Sequence, residues 1–193
     1  MGESMDSIFE KLLVEHCAPA LCGLKAANLF RVNGMDGLTV CRIIECWNRK
    51  LNPCGISMQI VKQCGTDSFL VYVWRRKWLS HLLSGAKTRE FLQTQGYRVD
   101  CDVNEMIRQL TIRLVRSENF PHEIGVFLGY PLTDVLGFIR NRGKNYTCAG
   151  YWKSYSGNAE RAKKGFEAYM NCFRTCMDAY KHGVGVMQMV SAA

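Results

Sequence analysis

Residues 120–155, FPHEIGVFLGYPLTDVLGFIRNRGKNYTCAGYWKSY, constrain the fold most, because two apolar helical repeats meet there across a glycine and a proline. Pro121 suits a first helical position, where a missing N–H costs nothing, and Glu123 in the same turn favours the helix dipole. Ile124, Phe127 and Leu128 fall on one helical face; Gly129 suits the residue after the C-cap, and Pro131 starts a second helix. Leu132, Val135, Leu136 and Ile139 repeat the spacing until Gly143. The segment 121–142 therefore reads as a helical hairpin resembling a helix-turn-helix. A DNA reader needs hydrogen-bonding side chains on its second helix. The groove-facing positions here would be Pro131, Leu132, Thr133, Leu136 and Gly137, with Arg140 the one good donor. Core packing is the preferred reading of this hairpin, and nucleic-acid binding is the alternative.

The residues that follow concentrate rings and cations. Tyr146, Tyr151, Trp152 and Tyr155 lie beside Arg140, Arg142, Lys144 and Lys153. Flat rings with cations can stack a base, a flavin or a porphyrin and neutralise its anionic groups. Tyr146, Tyr151, Trp152, Lys153 and Tyr155 are accordingly the candidate cofactor-binding set. The competing reading has the rings packing the last helix onto the core.

Upstream, Ser7 and Glu10 make a capping box for a first helix, with Phe9, Leu12, Leu13 and His16 on its inward face and Pro19 ending it. Residues 25–36 read as a connection, and Val40, Ile43, Ile44, Trp47 and Leu51 as the buried stripe of a second helix. Alternation at Ile56, Met58 and Ile60, a turn at 65–68 and the run FLVYVW at 69–74 predict an antiparallel hairpin. Asp102 with Glu105 caps a helix carrying Met106, Ile107, Leu110 and Leu114. Asn158 would cap a long final helix striped by Ala162, Phe166, Tyr169, Phe173, Cys176 and Tyr180. The expected fold is α+β: a predominantly helical single domain over residues 1–193, with a small antiparallel sheet and a frayed tail at 184–193.

At 193 residues the chain is long enough to bury a core. Its longest apolar run is far too short to cross a bilayer, and its first residues lack a basic and apolar leader, so a cytoplasmic protein without membrane insertion is expected. Ten cysteines in that compartment should be reduced thiols. No C-x-x-C occurs; the closest spacings are Cys17-x4-Cys22, Cys41-x4-Cys46 and Cys172-x3-Cys176, poor ones for a zinc ribbon. A net charge of +8 leans towards anionic partners.

Four segments, HCAPALCGLKAANLF (16–30), FPHEIGVFLGYPLTDVLGFI (120–139), GKNYTCAGYWKSY (143–155) and the helix from Phe166 to Cys172, resemble a bacterial family known as a domain of unknown function, number 3793. The resemblance runs nearly the whole chain. It implies metal or redox physiology, because similar proteins are found near iron-uptake and flavodoxin genes, and it brings no catalytic residues with it. If the matching segments mark one site, His16, Cys17, Cys148 and Cys172 would be its metal ligands, with Tyr151 and Trp152 beside them. Iron, zinc and haem all suit thiolate and imidazole donors.

The favoured reading is thus a non-catalytic accessory protein binding a metal, a flat cofactor or an acidic redox partner such as a flavodoxin. A nucleic-acid binder using residues 121–142 is one alternative. A thiol-dependent enzyme is the other, with Cys17 or Cys148 served by His16 or His122, since no phosphate loop, paired carboxylates or H-x-x-x-H is present.

Overall fold

The computed structural model of the chain describes residues 4–117, 120–155, 157 and 159–191. It divides into two compact units, one formed by residues 1–78 with 172–193 and the other by 79–171. Helix and strand are mixed as expected for an α+β protein, with helices predominating.

In the first unit, α1 (Met5–Leu21) and α2 (Gly37–Leu51) cover a three-stranded antiparallel sheet of order β1-β3-β2, made of β1 (Ala27–Asn33), β2 (Ile56–Gly65) and β3 (Ser68–Arg75). The predicted hairpin is the β2–β3 pair. The central strand explains its own sequence: Phe69 to Trp74 are all buried, so both faces of β3 are covered and a continuous apolar run replaces alternation. Phe69, Val71 and Val73 join Phe30, Val32, Ile56 and Met58 in the core with Phe9, Leu13, Ile43 and Trp47 from the helices. The α2 stripe expected from sequence is the buried face, and Asp36 caps the helix by accepting from the Thr39 N–H at 3.0 Å.

Four expectations are corrected here. Residues 25–36 are not a plain connection, because Ala27–Asn33 pairs with β3 in register from Ala27 opposite Trp74 to Asn33 opposite Ser68. The strand is specified by that distant partner, and its two asparagines and an arginine hide it from a propensity reading. In β2 the alternation breaks at a register shift between Ile60 and Lys62, and Val61 becomes the buried residue. In α1, Pro19 lies inside the helix, two residues before its end. His16 is exposed and not on the inward face that its spacing predicts, and Cys17 is buried. At about 100° per residue, Phe9, Ala20, Leu13, Cys17, Leu21 and Val14 form one arc with Cys17 near its middle, and His16 falls just beyond its edge.

Residues 186–191 are a helix rather than a frayed end. This α9 (Val186–Ser191) buries Val186, Met189 and Val190 and packs on α1. Glu10 does not serve a capping box; it accepts from the Val186 N–H at 3.0 Å, and Ser4 caps α1 instead.

The second unit holds the end of α3 (Arg76–Ser84), α4 (Ala86–Thr94), α5 (Val103–Arg116), α6 (Ile124–Phe127), α7 (Leu132–Asn141), the ribbon β4 (Cys148–Ala149) and β5 (Lys153–Ser154), and the first half of α8 (Ala159–Lys181). Asp102 caps α5 through the Glu105 N–H at 2.9 Å, as expected. Asn158, expected to cap α8, lies outside the described residues. The helical hairpin is present, with Gly129 at φ +78° in its turn. Its first helix is one turn long, and Glu123 does not sit free at its dipole. That buried carboxylate accepts from the Tyr97 hydroxyl at 3.3 Å and pairs with Arg113 at 3.5 Å. No helix among the described residues is long and apolar enough to cross a membrane.

Candidate metal centre

Among the described residues, one group of three or more ligand-type side chains closes on a common point: Cys22, Cys172 and Cys176, whose sulfurs all lie within 4.8 Å of one another. All three belong to the first unit. Cys22 is the C-cap of α1, and Cys172 and Cys176 are one turn apart on α8, so their side chains share a helical face. The Cys22 and Cys176 sulfurs are in contact at 3.3 Å, and all three residues are free thiols. Cys176 is buried and the other two half-buried.

A helix C-terminus is a poor place for a thiolate, because unpaired carbonyls concentrate negative charge there. Arg75, the last residue of β3, reverses that. Its guanidinium donates to the Ala20 carbonyl from Nε and to the Leu21 carbonyl from Nη2, each at 2.6 Å. This satisfies the end of α1 and sets a cation beside Cys22. The backbone turns away at Gly23, φ +72°.

The thiols share protons unequally. A hydrogen bond from Cys172 lowers the Cys22 pKa most, burial opposes, and the Cys176 thiol and the Arg75 charge add to the lowering, which reaches about 6. Cys172 is pushed well up, first because ionising would cost its bond to Cys22. Cys176 is pushed up to about 11, chiefly by burial. Of the three, Cys22 is the thiol that its neighbours make easiest to ionise.

Of the metal ligands expected from sequence, Cys172 is in this cluster. His16 stacks on Phe30 with ring centroids 5.7 Å apart. Cys17 is fully buried in the apolar core, where desolvation pushes its thiol pKa far up. Cys148 stands in β4 of the second unit, 3.9 Å from the Ala159 carbonyl. Sequence reasoning missed Cys22, Cys176 and Arg75. The signal was available in part, because Cys172-x3-Cys176 on a helical stripe puts two sulfurs on one face.

The five candidate cofactor residues lie in the second unit, and Trp152 and Lys153 line a cavity of about 230 Å³ with Phe120, His122, Leu128 and Phe138 among its walls. Trp152 stacks on Tyr130 at 5.4 Å, meets Phe166 edge-on at 4.5 Å and donates from Nε1 to Asp134 at 2.8 Å. Lys153 donates to the Gly143 carbonyl at 2.8 Å, with its ammonium 4.9 Å from the ring of the exposed Tyr146. Tyr151 meets Tyr169 edge-on at 5.2 Å. Tyr155 covers Gly137, so the face of α7 that a DNA reader would turn to a groove is partly filled by β5 and its neighbour. A Cβ at Gly137 would run into the Tyr155 side chain close to its backbone, where nothing can swing aside. Gly137→Ala should therefore lower unfolding stability by about 2 kcal/mol, despite a helix-propensity gain of about 1 kcal/mol; denaturant titration measures it.

No curated protein and no solved structure matches this chain. A family model does match, over residues 13–190 of the 193, a span that includes all three clustered cysteines. The chain belongs to the family described as "Protein of unknown function (DUF3793)".

Proposed function

We propose that this protein binds a single thiophilic metal ion through Cys22, Cys172 and Cys176 and acts as an accessory binding protein. The observation that carries the reading is the convergence of three sulfurs within 4.8 Å from segments 150 residues apart in sequence (Cys22 to Cys172). Metal–sulfur bonds of about 2.3 Å in tetrahedral geometry separate sulfurs by about 3.8 Å. One sulfur pair stands at 3.3 Å and all three lie within 4.8 Å, close enough to that spacing to support a single shared ion. Three sulfurs without a carboxylate or imidazole favour soft or borderline ions such as zinc or cuprous copper. Closely packed sulfurs suit a lone ion better than haem, whose iron takes axial ligands from the two sides of its macrocycle. A three-sulfur set leaves a tetrahedral ion one position for an outside ligand.

The test is titration of the reduced chain with cobalt(II) and zinc under anaerobic conditions. One equivalent should bind, giving sulfur-to-cobalt charge-transfer absorption that zinc abolishes. Cys172→Ser and Cys176→Ser should each weaken binding at least about tenfold. Uptake that neither substitution changes, or no uptake of cobalt, zinc or cuprous ion, overturns the reading.

The proton distribution sets the pH dependence. Only the Cys22 thiol is pulled down, to about 6, while Cys176 is raised to about 11 and Cys172 is raised as well. At pH 7 an ion must displace about two protons, so affinity should climb about a hundredfold per pH unit near neutrality. Zinc affinities at pH 6.5, 7 and 7.5 measure that slope.

A further inference from the structure

We infer that the same three sulfurs form a peroxide-reactive thiol centre, in which Cys22 is the attacking sulfur and Cys176 the resolving one. This shares its residues with the metal reading without depending on a metal being bound. Cys22 is half-buried and Cys176 is buried, so a small oxidant meets Cys22 more readily, with the two sulfurs already 3.3 Å apart. Cys22 also has what an attacking sulfur needs beside it: the Arg75 guanidinium, fixed by two hydrogen bonds at the end of α1, and the Cys172 thiol. Cys176 is the resolving sulfur because its contact with Cys22, at 3.3 Å, joins two separate segments that a disulfide can bridge.

The chemistry balances with a hydroperoxide as oxidant. The Cys22 thiolate attacks the distal peroxide oxygen, the O–O bond breaks, and with one proton the products are the Cys22 sulfenic acid and an alcohol, or water from hydrogen peroxide. The Cys176 sulfur then attacks the Cys22 sulfur, and its proton leaves with the hydroxyl as water. The sulfurs lose two electrons and the peroxide gains them. The product is a Cys22–Cys176 disulfide with Cys172 left as a thiol. A disulfide cannot supply two thiolates, so an ion held by the three sulfurs would be expelled, and the ion in turn would shield Cys22. A dithiol reductant would restore the centre.

The test uses the full chain, reduced and stripped with a chelator, exposed to one equivalent of hydrogen peroxide at pH 6, then alkylated and mapped by mass spectrometry. A Cys22–Cys176 cross-linked peptide should appear first. Among the ten cysteines, Cys22 and Cys176 should be the first to be lost to alkylation, because their sulfurs already touch at 3.3 Å. Cys176→Ser should leave a Cys22 sulfenic acid that dimedone traps, and Cys22→Ser, checked for folding by circular dichroism, should give no cross-link. Zinc should slow the oxidation several-fold. The inference is overturned if other cysteines are lost to alkylation before this pair, or if Cys176 ends in another linkage. Cross-linking in a chain that takes up no metal would remove the metal reading and keep this one; metal uptake without cross-linking would do the opposite.

Discussion

Replacing Asp134 with alanine should destabilise the second unit by about 3 kcal/mol, the largest loss expected from any single polar side chain there. Asp134 is 2 % exposed, and its donors include the Trp152 indole N–H at 2.8 Å, the Tyr155 backbone N–H at 2.7 Å and the Ser154 hydroxyl at 3.2 Å. One carboxylate on α7 thereby ties down three residues of the aromatic ribbon. Alanine leaves buried donors unanswered, which costs more than the bonds contributed. A side-chain amide would keep one acceptor and turn an NH₂ towards donors, so Asp134→Asn should lose about half as much. Unfolding midpoints in urea for the wild type and both variants measure this. A loss below about 0.5 kcal/mol for alanine would mean that the ribbon is held by its rings alone.

Arg75→Met should cost about 3 kcal/mol and change the chemistry of Cys22 at the same time. The two effects have one origin. The guanidinium fills the carbonyl end of α1 through Ala20 and Leu21, and without it those acceptors face an apolar side chain. The positive charge next to Cys22 also disappears, so its pKa should rise from about 6 and its alkylation rate profile should move to higher pH. A thiol whose folded pKa is depressed adds stability above its unfolded pKa, and that stability is lost as pH falls through the folded value. The wild type should therefore gain stability from about pH 6 towards the ordinary cysteine value of 9.0, and Arg75→Met should gain less over that window. Arg75→Lys keeps the charge without the two-pronged bond, and should restore the reactivity better than the stability. Iodoacetamide rates at Cys22 by mass spectrometry, with urea unfolding at pH 6 and pH 8.5, separate the two contributions. An unchanged alkylation profile in Arg75→Met would remove Arg75 from the account of Cys22.

The local rules of the sequence determined much of the frame. The α2 stripe, the Asp102 cap, the turn at Gly129 and the all-apolar β3 are each specified by residues within a few positions of one another, and each stands where those residues put it. Even the cysteine pair on α8 was legible as a spacing. What tertiary structure decided were the choices that local chemistry leaves balanced. Strand β1 exists because β3 offers it an edge, and α1 turns Cys17 inward and His16 outward because the whole arc from Phe9 to Leu21 buries more apolar surface that way. The third sulfur of the cluster is the clearest case. Nothing near Cys22 in the sequence marks it apart from nine other cysteines. It becomes a candidate ligand and nucleophile only because folding carries a helix end, an arginine from a strand and one face of α8 to the same few ångströms, and sequence separation carries no information about that distance.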